Sequence, residues 1–505
     1  SAKFIWNDTM NMSLELMLQL TIVLPLIAVA AISATGSQPN LREAVTIGTS
    51  LVVLYFVVNL YQGVINGEHI EVHWLEIIPG LGLNFSIEPL GMLFALVASF
   101  LWLITTVYAI GYMRGHNEKN QTRFFCFFAI AISGVMGVAF AADLFTLFIF
   151  YEVLTLSTYP LVTHAGTEKA KAGGRVYLGI LLSTSIVFFL LAIIMTWFTA
   201  GTLEFKAGGV FDADINTTLA SVILILFVFG IGKAAIMPFH RWLPAAMVAP
   251  TPVSALLHAV AVVKAGVFTI LKVCVFVFGL DLLSVLPGTQ FLLYLAGVSV
   301  LLASLIAMRQ DNLKARLAYS TVSQLGYITI GALLATSAGI IGGSMHIAMH
   351  AFGKITLFFC AGAILVAAHK SKISEMHGIG WQMPVTMTAF FIASLSIIGV
   401  PPTGGTWSKW FLLMGSLEAS QWFLMATLMI SSLLNIAYLI PIPFRAFFPR
   451  DKAQSQNKGI KEAPLPSLMA LSLTTLACVV LFVYPQPLYE LATAILSTSE
   501  VTHGK

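Results

Sequence analysis

GIGKAAIMPFHRWLPAAMVAPTPVSALLHAVAVVKAGVF, residues 230–268, sets two lysines and two proline-interrupted turns inside an otherwise apolar run. Lys233 is followed five residues later by Pro238, and Lys264 is flanked by a helical turn or more of apolar residues on either side. Proline removes a backbone donor, so the segment reads as a helix that breaks and then resumes. The surroundings are equally apolar: the 505 residues are 58% hydrophobic and 10% charged, where a soluble domain is about a quarter charged. Lipid is therefore the solvent for most of the chain, and the expected fold class is all-α, a polytopic membrane protein.

Apolar runs long enough to cross a bilayer lie near 15–35, 42–63, 89–110, 124–142, 144–163, 175–199, 218–237, 252–280, 286–308, 313–335, 338–368, 385–414, 420–443 and 465–484. Fourteen crossings sort the connecting loops into two sets. One holds eighteen lysines and arginines (positions 42, 114, 119, 123, 169, 171, 175, 241, 309, 314, 316, 370, 372, 445, 450, 452, 458 and 461); the other holds Lys3, Lys206 and Lys505. The positive-inside bias assigns the first set to the cytoplasm and both termini to the outside of an inner membrane. The first apolar run is too long for a signal sequence and reads as a retained helix. Residues 64–88 alternate polar and apolar around Pro79-Gly80 and read as an external hairpin, and 449–464 as a cytoplasmic linker.

The small net charge of +4 is spread over short loops, which leaves nucleic acid without an electrostatic footprint. Cys126, Cys274, Cys360 and Cys478 stand singly in apolar runs, without spacing for a metal or cluster. No nucleotide loop or flavin motif is present, so no cofactor is expected, and redox drive would have to come from partner subunits.

Five basic residues remain within the spans: Lys233, Lys264, Lys272, Lys354 and Lys409. Glu152 and three histidines, His258, His346 and His350, complete the buried titratable set. A charge at mid-bilayer costs about 2.5–3.5 kcal/mol, so such residues should face a hydrated interior and carry function. Burial lowers a lysine's proton affinity and a nearby carboxylate restores it, which is what a switchable proton carrier needs. Lys272, eight residues past Lys264, reads equally well as a side chain snorkelling to the surface. In HIAMHAFGK the two histidines and Lys354 recur at i, i+4 and i+8, on one helix face with neighbours about 6 Å apart. The histidine pair has no acidic or cysteine ligand beside it, so metal binding is the weaker reading. A second break, GVPPTGGTWSKWF at 399–411, places Pro401, Pro402, Gly404 and Gly405 just before Lys409. Paired interrupted helices point to an ion path in transporters built from inverted repeats.

These motifs, with DLFTLFIFYEVLTLSTYPLV (143–162), RLAYSTVSQLGY (316–327) and PPTGGTWSKWF (401–411), resemble the antiporter-like subunits shared by respiratory complex I, membrane-bound hydrogenases and Mrp-type multisubunit sodium/proton antiporters, over roughly residues 87–445. The resemblance implies two inverted five-helix repeats with helices seven and twelve broken. Their bounds would be 121–280 (helices four to eight) and 286–445 (nine to thirteen), preceded by helices one to three in 15–120 and followed by helix fourteen and a tail in 465–505. It implies a Glu152–Lys233 pair and a lateral proton route through Lys264 with His258, then Lys354 with His346 and His350, to Lys409. The Mrp D-type subunit is most similar: Lys409 and Lys354 disfavour the complex I subunit with a glutamate on helix twelve, and the short tail disfavours the largest members. Where many relatives carry Asp and His after WLP, this chain has Ala245, Ala246 and Met247, so proton uptake from the cytoplasm would use other residues or water. The expected activity is Na+ or K+/proton antiport within a hetero-oligomer embedded in lipid. The alternatives are a redox-driven pump subunit, the one case in which the chain would be part of a translocase enzyme, and an inorganic-carbon or solute transporter.

Overall fold

A computed structural model describes residues 12–78, 81–448 and 459–500. All fourteen apolar runs are helical, and their ends fall within a few residues of the expected ones for most. Among the described residues eleven helices are long and apolar enough to cross a membrane, from Leu14–Ala34 to Leu465–Val483. The remaining runs are Thr217–Gly230 and Pro384–Ile398, both short because each stops at a break, and the more polar Leu313–Leu333. Caps fix several starts: Asp143 accepts from the Thr146 amide, Asn312 from Ala315 and Thr336 from Gly339.

The core is the long helix Ser337–Ala368, packed against Leu313–Leu333, Pro384–Ile398, Gly405–Glu418, Leu465–Val483 and the segment Thr251–Phe278. Every residue of Thr251–Phe278 is buried. It is not a uniform α-helix: π turns at Leu256–Val260 and Cys274–Phe278 interrupt it, the first carrying His258. Another π turn, Ser185–Phe189, lies within Glu168–Ala200.

The loop after the second helix forms a two-stranded antiparallel hairpin, β1 (Glu71–Ile78) and β2 (Leu81–Ser86), while Pro79 and Gly80, where its turn was expected, lie outside the described residues. Phe85 anchors the hairpin by packing edge-on against Phe150 and pairing with Ala141. Most of the expected linker 449–464, residues 449–458, also lies outside the described residues. Helix fourteen is followed by a further helix, Gln486–Glu500, which buries Leu488, Leu491, Ala492 and Ile495 against the third helix and the long central one.

Candidate functional site

Both breaks form where expected, and each brings a lysine into the core. Thr217–Gly230 ends one residue before Ile231, and Lys233 sits in a single 3₁₀ turn. The backbone groups freed there are satisfied by side chains of other segments, as burial at membrane depth demands. The Trp242 indole donates to the Gly232 carbonyl at 2.9 Å, and the Lys233 amide donates to the Tyr151 hydroxyl at 3.2 Å. Gly266 lets the next helix close on the break, because a Cβ there would lie 2.4 Å from the Ala234 nitrogen. In the second break, Pro384–Ile398 and Gly405–Glu418 are joined by the proline-glycine turn, and Gly405 lies so close to the Ser396 carbonyl that a Cβ would sit 1.9 Å from it. The peptide bonds Met237-Pro238 and Pro401-Pro402 are both cis.

The Lys233 ammonium is fully buried and donates to the Tyr151 carbonyl at 2.8 Å and the Thr155 hydroxyl at 2.5 Å, with the Tyr151 ring centroid 3.1 Å away. Glu152 projects from the same helix, yet the two are not joined as an ion pair: both Glu152 carboxylate oxygens are sequestered without a hydrogen-bond partner in the protein. Glu152 lies one turn from Thr155 on the same helix.

From Lys264 the groups run sideways. Its ammonium meets His350 Nδ1 at 2.6 Å, and the His350 and His346 rings stack with centroids 5.8 Å apart. His346 Nδ1 contacts the Ser408 hydroxyl at 2.8 Å and Nε2 contacts Gln324 Oε1 at 3.1 Å. Ser408 precedes Lys409, whose ammonium donates to the Ser432 hydroxyl and to the freed Ile398 carbonyl, both at 3.0 Å. Tyr327 closes the corner. It stacks on His346, lies 4.5 Å beneath the Lys409 ammonium and meets Ser432 at 3.2 Å.

Two expected members stand off this line. Lys354 donates to the Ser320 hydroxyl at 2.6 Å and the Leu317 carbonyl at 3.3 Å, and Ser320 accepts from Tyr438, whose hydroxyl also meets Asn435. The Lys354 ammonium thus bonds to this row of hydroxyls and, among the described residues, makes no hydrogen bond to His350. His258 is buried with both ring nitrogens unpartnered and its ring on Phe358, 4.6 Å between centroids. Lys272 does not reach the surface: it is buried in an ion pair with Glu88, 2.6 Å long.

Tyr151, Thr155, Gln324, Tyr327, Ser320, Ser408, Ser432 and Glu88 were not singled out from the sequence. Several left a signal there, since Ser320, Gln324 and Tyr327 recur at i, i+4 and i+7 and so share one face of their helix. Ser408 and Thr155 left none, because lone hydroxyls in a membrane helix ordinarily bond their own backbone.

Residues 141–435 match the family model described as NADH:quinone oxidoreductase/Mrp antiporter, TM, and residues 74–125 match that for the amino-terminal part of NADH-ubiquinone oxidoreductase (complex I) chain 5. NADH-quinone oxidoreductase subunit N of Desulforudis audaxviator is 33% identical over 88% of this chain and 89% of its own length. A component of the probable K(+)/H(+) antiporter of Rhizobium meliloti is 31% identical over 89% of this chain and 45% of its own length. A chain of the Mrp complex from Dietzia sp. superimposes with a TM-score of 0.84 at 23% identity, covering 97% of this chain and 98% of that one. With the family model spanning more than half of its residues, this chain belongs to the membrane-subunit family common to NADH:quinone oxidoreductases and Mrp antiporters.

Proposed function

We propose that this chain is the proton-translocating subunit of a multisubunit monovalent cation (Na+ or K+)/proton antiporter, of the D-type in Mrp assemblies, in the inner membrane with both termini outside. The observation that carries the reading is the buried file of Lys264, His350, His346, Tyr327 and Lys409. Structural lysines pair with carboxylates or snorkel to water. These face neutral acceptors and one another's histidine partners, an arrangement that is tolerable when the groups spend part of each cycle uncharged.

In this reading Lys233 alternates between Glu152 and the Tyr151 carbonyl with Thr155. Facing Glu152 it holds its proton. Swung to the neutral acceptors it has lost the carboxylate that favours the ammonium, and the proton passes toward Lys264 through water and side-chain motion. From there the imidazoles of His350 and His346 accept on one nitrogen and donate from the other, the relay for which histidine is suited. Lys409 and Ser432 carry the proton to the exit. Lys354, Ser320 and Tyr438 are assigned to a side branch that feeds the file, and His258 to a relay that engages only when its helix shifts.

The test is Lys233→Ala in the intact complex in proteoliposomes. Collapse of a pH gradient on adding Na+ or K+ should be abolished, with the complex still assembled; normal exchange would sink the reading. The relatives named as NADH-quinone oxidoreductase subunits support a second reading, a redox-driven pump subunit. Co-purification with iron–sulfur or flavin subunits, and proton movement only during electron transfer, would select it.

A further inference from the structure

Lys272 and Glu88 are used by neither the file nor its branch. The Lys272 ammonium donates to the Ala141 carbonyl at 2.6 Å and pairs with a Glu88 oxygen at 2.6 Å. It lies 4.4 Å from the Phe205 ring centroid and 5.5 Å from that of Phe268. Three segments distant in sequence therefore converge on one lysine: the start of the third helix, the loop before the fifth, and the loop after Ala200.

Glu88 occupies the N-cap position of Pro89–Gly115, but its side chain caps no amide of that helix and turns to Lys272. The two partners are unequally sealed: the lysine side chain is 1% exposed and the glutamate 16%. The pair thus grades from closed interior toward solvent within the length of one ion pair. It also lies on the helix that carries Lys264, about 12 Å further along the axis, toward the face assigned to the outside.

We propose that Lys272 and Glu88 are the outward proton-release gate of the first half of the molecule, an assignment that rests on the proton-translocating reading above. The neutral Lys272 amine accepts a proton arriving from the Lys264 region and becomes an ammonium. The ammonium passes that proton to the Glu88 carboxylate, regenerating the amine and forming the carboxylic acid, which releases it to external water. The Ala141 carbonyl and the two rings hold the ammonium against Glu88 while it is charged. The converging loops also carry Asp143, engaged by Asn84 and Thr146, and Glu204 and Lys206, both exposed.

Three variants of the intact complex in proteoliposomes test the gate. Lys272→Arg keeps the charge and the partner but cannot release a proton; exchange should fall by at least about tenfold, as far as in Lys272→Met, with assembly unchanged. Glu88→Gln removes the carboxylate that accepts the proton from Lys272, so exchange should likewise fall by at least about tenfold. If the arginine does not fit, the Glu88→Gln rate decides alone. A salt clamp predicts wild-type exchange in Lys272→Arg and in the assembled Glu88→Gln complex, and either result overturns the gate. Because Lys233→Ala is measured beside them, loss there with normal Lys272→Arg exchange removes only the gate, whereas normal exchange in Lys233→Ala removes the underlying reading.

Discussion

The two broken helices solve the same steric problem and surround their lysines differently. At the first, Lys233 is fully sealed, faces a carbonyl and hydroxyl of the neighbouring helix and has Glu152 one turn away. At the second, Lys409 is 6% exposed, borders a cavity of about 340 Å³ lined by Ile398, Trp410 and Ser432, and bonds to the carbonyl that its own break has freed. No carboxylate contacts it among the described residues. In the proposed route the lysine with a nearby carboxylate is the switch, and the one facing neutral groups beside a cavity is the terminus. Symmetry of backbone breaks therefore does not impose symmetry of electrostatics: the partner side chain decides which role each lysine takes.

The largest effects should come from the switch. Lys233→Ala should slow exchange by at least about a hundredfold. Glu152→Gln should cost most of that, and the double variant little more than Lys233→Ala alone, since both act through one pair. Glu152→Gln combined with Lys409→Gln should instead multiply. Additive behaviour in the first double variant would erase the distinction between the two breaks. The backbone devices come next. Gly266→Val and Gly405→Val each force a side chain into main-chain atoms and should lower stability by about 1–3 kcal/mol, read as a lower thermal midpoint in detergent, with Gly405→Val the worse because its contact is closer.

Smaller effects sharpen the terminus. Tyr327→Phe keeps the stack on His346 but loses the hydroxyl that donates to the Leu428 carbonyl and meets Ser432; about 1 kcal/mol, or fivefold in exchange rate, should go with it. Smallest of all is the loop clamp near the face carrying the basic loops. The Ser374 hydroxyl, followed by its amide, holds the Asp311 carboxyl below the usual carboxylate range. A depressed folded-state value stabilises above the ordinary carboxylate range and is lost as pH falls through the folded value. Ser374→Ala should therefore lower the thermal midpoint slightly at neutral pH, and the difference should vanish in acid once the Asp311 carboxyl is protonated in the folded protein. A difference that persists there would mean that the clamp is not electrostatic.

Much of the architecture was legible because membrane solvent imposes long-range rules: apolar length set the spans, and loop lysines and arginines set the expected sides. Both breaks were visible because proline and glycine act locally. The candidate residues were legible because a buried charge is costly enough to be rare. Connectivity was not. Lys354 shares a face with His346 and His350 by helical period, yet Ser320 on the next helix draws it onto a branch, and that contact depends on packing between helices 34 residues apart in sequence. The sequence leaves Lys272 open between the surface and the interior, and the contact with Glu88, distant in sequence, places it inside. Glu152 and Lys233 are expected as a switchable pair, and the lysine here takes the neutral partners one turn away.

Lateral proton movement depends most on the junction between Lys264 and His350. Phenylalanine at His350 keeps a stacked ring against His346 and removes both nitrogens. Collapse of the pH gradient on adding Na+ or K+ should be measured in proteoliposomes of the intact complex carrying His350→Phe. A fall of at least about tenfold in rate with assembly unchanged is the result expected; a rate within about twofold of the unaltered complex would mean that protons do not travel along the file.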